Sequence, residues 1–250
     1  MKIGIAGYGY VGKAMELQLK EYNDIIISDP ALGHYGDLRH ADAIVVCVST
    51  PPMEMSGACD VGNVADVIDD APDVPILIKS TISLEGWRLI TDCCKNQDIT
   101  FSPEFLRAKH WQEDAKTQKK YLFGGASTNF WTEIFLTARG KIDVDVRTPE
   151  ELILAKQLRN SFLAMKVSFF NQVEDFCVSQ EVDPVNVSEL ICADERIGRS
   201  HSFVTPDRGY GGHCLPKDVL ATIRSAQNSG ARMTLLEETD NYNNTIRKKS

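Results

Sequence analysis

The chain has 250 residues, 43% of them apolar and 25% charged, and carries a net charge of −8. That length fits two modest domains or one large one, and the composition is that of a packed globular protein. The acidic balance argues against nucleic acid or an anionic membrane as main partner, and no apolar run reaches the ~20 residues that span a bilayer.

Lys2–Ala6 reads as a strand that starts almost at the N-terminus, which leaves no room for the apolar region of a signal peptide. Ile25–Ser28, Ala43–Val48 and Pro75–Lys79 read as further strands, with weaker candidates at Ile99–Phe101, Tyr121–Gly124 and Ile142–Val146. Helical patterns run from the first glycines to about Tyr22, and near Val61–Ala71, Leu84–Lys95 and Asn129–Ala138. Strand and helix in alternation predict a Rossmann-type, doubly wound and mainly parallel sheet over residues 1–147, covered on both faces. The seven cysteines are odd in number and none has CxxC spacing, which predicts a reduced cytoplasmic protein without a metal site.

Gly7-Tyr8-Gly9-Tyr10-Val11-Gly12 follows the first strand and opens a helix, and Asp29 closes the second strand. A lone GxGxxG is a weak signal, but this is the context that the dinucleotide fingerprint requires. Gly7 makes the tight turn, Gly9 admits a pyrophosphate, and Gly12 lets helix and strand pack closely. Asp29 is placed to accept from ribose hydroxyls, which favours NAD over NADP. Three later strand ends carry hydroxyl-rich loops: Ser49-Thr50-Pro51-Pro52, Ser80-Thr81-Ile82 and Ser102-Pro103-Glu104-Phe105-Leu106-Arg107. Each alone also reads as ordinary strand-end punctuation.

The pattern changes at Thr148-Pro149-Glu150-Glu151, a hydroxyl cap, a first-turn proline and two acids. From there a helical pattern without proline or glycine runs to about Val182, on the order of 50 Å long. Such a helix suits the spine of an all-helical domain over residues 148–250, and a dimer surface. Lys156 and Asn160 share one of its faces, a spacing that by itself favours the plain reading of an exposed lysine and a neutral asparagine. Further helices are predicted near Val185–Ala193, Leu215–Gln227 and Met233–Arg247.

Between the last two lies Gly209-Tyr210-Gly211-Gly212-His213-Cys214-Leu215-Pro216-Lys217-Asp218. Glycines allow positive φ and close backbone approach. A thiol near a cation is a candidate nucleophile, and Asp218 falls on its helical face. The plainer alternative is a glycine turn followed by a buried core cysteine.

Together these segments resemble the nucleotide-sugar dehydrogenase family that includes UDP-glucose 6-dehydrogenase, GDP-mannose 6-dehydrogenase and UDP-N-acetylmannosamine dehydrogenase. The matching residues are the Gly7–Gly12 loop, Ser49-Thr50-Pro51, Lys79-Ser80-Thr81-Ile82, Ser102 to Arg107, Lys156 with Asn160 before Phe162-Leu163-Ala164, Arg196-Ile197-Gly198, and Gly209 to Asp218. They come in the family's order and cover nearly the whole chain.

The resemblance implies oxidation of a sugar C6 alcohol to a carboxylate with two NAD. Cys214 would trap the aldehyde as a thiohemiacetal and then carry a thioester, facing the nicotinamide. Lys156 and Asn160 would stabilise the oxyanion, with Asp218 and a water accepting the first proton. Glu104, helped by Thr81, would direct the hydrolytic water. The implied cofactor contacts are Gly7, Gly9, Tyr10, Val11, Gly12, Asp29, Thr50 and Thr81. Those to the sugar nucleotide are Glu104, Phe105, Leu106, Lys156, Arg196, Tyr210 and Gly211. Arg196 matches an arginine that reaches the neighbouring subunit's substrate, so a homodimer through the helical domain is implied.

Two departures accompany the resemblance. Ala108 stands where many members have a second glutamate, and the chain ends at Ser250 in the last helix of the central domain, without the family's usual third domain. Two other readings therefore stay open. One is a β-hydroxyacid dehydrogenase of 6-phosphogluconate type, which uses a Lys-x-x-x-Asn pair and has no need of the Cys214 segment. The other is a non-catalytic NAD-binding relative or regulator.

Overall fold

The computed structural model describes residues 1–51, 53, 59–212 and 214–247. Pro52 of the first hydroxyl loop, His213 of the cysteine segment and Lys248-Lys249-Ser250 lie outside the described residues. The chain divides into two compact units, the first made of Met1–Met53 and Cys59–Lys156, the second continuing from Gln157.

The first unit is built on one sheet: β1 (Lys2–Ala6), β2 (Asp24–Asp29), β3 (His34–Tyr35), β4 (Ala43–Val46), β5 (Ile76–Ile78), β6 (Ile99–Phe101), β7 (Lys120–Gly125) and β8 (Asp143–Val146). Their order across the sheet is β3-β2-β1-β4-β5-β6-β7-β8. The sheet is mainly parallel, as the alternation predicts, but β3 pairs antiparallel with β2 and β7 antiparallel with β6. β4 is buried at all four positions and β1 at all but its first, the mark of central strands covered on both faces.

Helices α1 (Tyr10–Leu19), α2 (Gly62–Asp70), α3 (Leu84–Cys93), α4 (Trp111–Thr117) and α5 (Thr128–Arg139) supply that cover. One face of the sheet packs Ile44, Val46, Ile76 and Ile78 with Val64 and Ile68 of α2 and Trp87 and Ile90 of α3. The other packs Ile3, Ile5, Val45 and Leu77 with Met15 and Leu19 of α1 and Trp131 and Phe135 of α5. Two of the strands run shorter than their predicted spans: β4 stops before Cys47-Val48, and β5 leaves out Pro75 and Lys79.

Helix α6 (Pro149–Ser179) has 31 residues and begins as the sequence directs. Thr148 Oγ1 accepts from the Glu151 N–H at 3.2 Å, and a Glu151 carboxylate oxygen accepts in return from the Thr148 N–H at 2.9 Å. This reciprocal capping box satisfies two donors that a helix start otherwise leaves open. In the second unit follow α7 (Pro184–Cys192), capped by Asp183 with Pro184 in its first turn, α8 (Cys214–Asn228) and α9 (Thr234–Ile246). Ala164 of α6, Tyr210, Val219 and Ile223 of α8, and Leu236 of α9 form its core.

Candidate active site

At the carboxyl edge of the first unit the glycine loop behaves as its three positions require. Gly7 has φ +86°, and a Cβ there would lie 2.7 Å from the backbone of Cys47 and Val48. A Cβ at Gly12 would sit 2.1 Å from the Gly7 carbonyl oxygen. Gly9, by contrast, has nothing among the described residues within 4 Å of that position, so its face is open to a ligand. Gly9 is also the N-cap of α1 and offers no side chain to the first-turn amides of Tyr10 and Val11. Helix starts of this kind suit phosphate. The order β2-β1-β4 places the loop where the sheet's winding reverses, the place where open α/β sheets bind ligands.

Asp29 holds this loop as well as facing it. One carboxylate oxygen accepts from the Tyr8 N–H at 2.7 Å and the other from the Leu32 N–H at 3.2 Å. Tyr8 in turn donates its hydroxyl to Glu16 in a short hydrogen bond, and that bond, with burial, pushes the phenol up to about 12.

The hydroxyl loops tie neighbouring strand ends together. Thr50 Oγ1 donates to the Thr81 carbonyl at 2.6 Å, and Ser80 Oγ donates to the Val48 carbonyl at 2.7 Å. Deeper lies an ion pair that the sequence reading missed: Lys79 Nζ is 3.1 Å from Glu104 Oε2, and the two side chains are 1% and 6% exposed. Glu104 Oε1 accepts from the Phe105 and Leu106 amides at 2.7 and 3.1 Å, so those donors serve the glutamate itself. Lys156 is buried rather than exposed; its ammonium donates to the Glu104 carbonyl in a short hydrogen bond and lies 5.6 Å from the Phe105 ring centre. Ala108 is exposed at the start of a short 3₁₀ turn, Ala108–His110.

The second unit orders the cysteine segment from both sides. Gly209 N–H donates to Asn171 of α6 at 3.1 Å, and Asn243 of α9 accepts from Tyr210 N–H at 2.7 Å while donating to its carbonyl at 3.2 Å. The Tyr210 hydroxyl donates to Asp240 at 2.7 Å. Arg247 donates to the carbonyls of Arg208 and Gly209 at 2.9 and 3.3 Å. Its guanidinium would be 2.4 Å from a Cβ at Gly211, while Gly209 has φ +55° and Asn243 2.3 Å from the same point. Both glycines therefore answer to close packing.

Cys214 is the first residue of α8 and is exposed, which excludes the core-thiol alternative. One turn along, Asp218 is buried, and its Oδ2 accepts from Asn160 Nδ2 at 2.5 Å. Asp218 Oδ1 lies 3.6 Å from Lys217 Nζ and has no aligned hydrogen-bond donor among the described residues. Thr222 extends the network by donating to the Asp218 carbonyl and accepting from Ser161. Arg196 stands apart from it: its side chain is 88% exposed and pairs with Asp194 at 2.5 Å.

Residues 151–245 match the UDP-glucose/GDP-mannose dehydrogenase family, central domain. The UDP-glucose 6-dehydrogenase of Campylobacter jejuni is 31% identical over 201 residues, a match that covers 76% of this chain and 51% of the relative. The chain thus spans about half the length of that curated relative. Among solved structures, a UDP-glucose dehydrogenase from Pyrobaculum islandicum shares the fold at TM-score 0.83 and 22% identity, covering 98% of this chain and 68% of that one. A 3-hydroxyisobutyrate dehydrogenase from Mycobacterium tuberculosis shares it at TM-score 0.71 and 16% identity, covering 98% and 93%.

The fold is of Rossmann type, a mainly parallel sheet unit followed by helices. Over its helical unit the chain is similar to the central domain of the UDP-glucose/GDP-mannose dehydrogenase family.

Proposed function

We propose that the protein is an NAD-dependent nucleotide-sugar 6-dehydrogenase that oxidises a sugar C6 alcohol to the carboxylate. The observation that carries this reading is the exposed Cys214 at the head of α8, one turn from the buried Asn160–Asp218 pair. A β-hydroxyacid dehydrogenase has no use for a thiol there. The open face of Gly9 at the N-terminus of α1 fits a dinucleotide pyrophosphate, and Asp29 fits an unphosphorylated ribose. When bound, NAD supplies the acceptor for two hydrides per sugar.

This chain's own groups do the rest. Asp218 takes the alcohol proton through a water at its unaligned Oδ1. The Cys214 sulfur adds to the aldehyde carbon, and the thiol proton passes to the new oxygen to give a thiohemiacetal. Its oxidation leaves a thioester. Lys156 and Asn160 donate to the oxygen that carries charge in each tetrahedral state, the largest single contribution in many enzymes. Glu104 orients the water that adds to the thioester carbonyl. The C–S bond then breaks, and the products are the sugar carboxylate, a proton and the regenerated Cys214 thiol. Thr50, Thr81, Phe105, Leu106, Tyr210 and Gly211 shape the cofactor and substrate walls, and Arg196 reaches the substrate of a second copy.

That second copy would cover α6. Phe162, Phe169 and Phe176 recur every seven residues on its surface and are all exposed. With Met165 and Leu235 two of them line an open groove of about 450 Å³. A heptad stripe of this kind is what helix pairing buries.

The deciding experiment follows NADH absorbance across a panel of UDP- and GDP-sugars and short 3-hydroxyacids. Two NADH per nucleotide sugar are expected, and Cys214→Ala should make no acid while keeping its NAD affinity. One NADH per substrate would remove the thioester route. Turnover of 3-hydroxyacids alone would favour the β-hydroxyacid reading, whose fold relative this chain matches nearly end to end. NAD binding without any turnover would make the protein a non-catalytic relative.

A further inference from the structure

The Lys79–Glu104 pair is buried more deeply than a stability role explains. Taking two charges out of water is costly, and apolar residues of the same volume serve stability as well or better. Here the pair stands at the carboxyl ends of neighbouring strands, just beyond β5 and just beyond β6. Two donors and one cation converge on the Glu104 carboxylate: the two amides on Oε1 and the Lys79 ammonium beside Oε2. Lys79 is itself fixed by donating to Ser102 Oγ at 3.2 Å. The ammonium approaches Oε2 off hydrogen-bonding alignment, which leaves that oxygen a lone pair for a further donor. Cys47 lies near both charges, and burial pushes its thiol far above the ordinary range, so it stays neutral.

We propose that Lys79 is the positioning residue for Glu104: it draws Oε2 to one fixed place and leaves that oxygen able to accept from the water that hydrolyses the thioester. This rests on the dehydrogenase reading for the water's role, though not for the geometry. Lys79 touches neither substrate nor cofactor in this account and acts through Glu104 alone.

Two measurements test it. The first is amide hydrogen exchange at Phe105 and Leu106, which needs no turnover. In Lys79→Met these amides should exchange about tenfold faster as the carboxylate they hold swings free, and in Lys79→Arg close to the wild-type rate. Unchanged exchange in Lys79→Met would overturn the positioning. The second is steady-state kinetics with a double variant. Lys79→Met should lower kcat about 100-fold, a general-base effect, with KM for the nucleotide sugar unchanged. In acid-quenched samples, sugar should be found by mass spectrometry still attached to Cys214.

Lys79→Met/Glu104→Gln should be no slower than Glu104→Gln alone; a further loss in the double variant would show a merely structural lysine and overturn the proposal. Should Lys79→Met not fold, the charge-neutral double variant and Lys79→Arg carry the same comparisons. A wild type that turns over no nucleotide sugar would defeat the dehydrogenase reading, and the exchange measurement would still decide for or against Lys79.

Discussion

Asn160 Nδ2 donates to Asp218 Oδ2 across 2.5 Å, so a residue of α6 is joined to one of α8 a single turn from Cys214. The bond fixes the asparagine amide and leaves its second N–H to point elsewhere. Asn160→Ala is expected to lower kcat by about 10²–10³, the usual cost of one oxyanion donor. Stopped-flow NADH absorbance measures this, with NAD affinity by calorimetry as the control. A loss confined to KM would assign Asn160 to binding instead.

Gly7 and Gly9 should fail in different ways. At Gly7 an added methyl meets backbone at 2.7 Å with φ +86°, so Gly7→Ala should destabilise the fold by about 1–3 kcal/mol. At Gly9 the methyl meets nothing, so Gly9→Ala should keep its Tm and lose NAD affinity. Paired thermal melts and NAD titrations separate the two, and equal Tm losses would contradict the geometry.

The capping box predicts one limb of the pH profile. The Thr148 N–H and hydroxyl hold the Glu151 carboxyl below its usual range. A depressed carboxyl contributes stability above its unfolded value, and that contribution is lost as pH falls through the folded one. Between about pH 5 and 3 the wild-type Tm should therefore fall more steeply than that of Glu151→Gln. Parallel slopes would mean that the cap makes no net contribution.

Phe169 is exposed in the middle of the α6 stripe, with Phe162 and Phe176 on either side. Phe169→Asp should turn a dimer into a monomer in light scattering while leaving the helical content unchanged. A wild type that is already monomeric at working concentration would remove the second copy from the account.

Much of this was legible because it is local. Lys2–Ala6 was readable to the residue from its composition, and the Thr148 cap from four consecutive side chains. The glycine loop was legible because each glycine answers to a separate steric demand. The two-residue strand His34–Tyr35 and the short helix Trp111–Thr117 were missed, since neither is long enough to show a period. The antiparallel turn of β7 was missed because direction is set by tertiary pairing, not by residue type. Lys79 read as the end of an apolar strand. Its partner stands 25 residues on, and only the adjacency of β5 and β6 brings them together. The best available signal was a lysine closing an otherwise apolar run. Lys156 was misjudged for the same reason: spacing gives the helix face, and the Ser102–Arg107 loop decides that the face is covered.

Arg247, one residue past α9, reaches back to the carbonyls of Arg208 and Gly209 and lies against Gly211. The hinge of the proposed nucleophile is thus latched by a residue 33 positions downstream of it. Whatever pulls on the polypeptide just behind α9, whether a fused tag, a protease cut or a bound neighbour, therefore acts on a residue hydrogen-bonded to the loop that leads toward Cys214. Any change made just behind α9 should accordingly be assayed for its effect on the thiol.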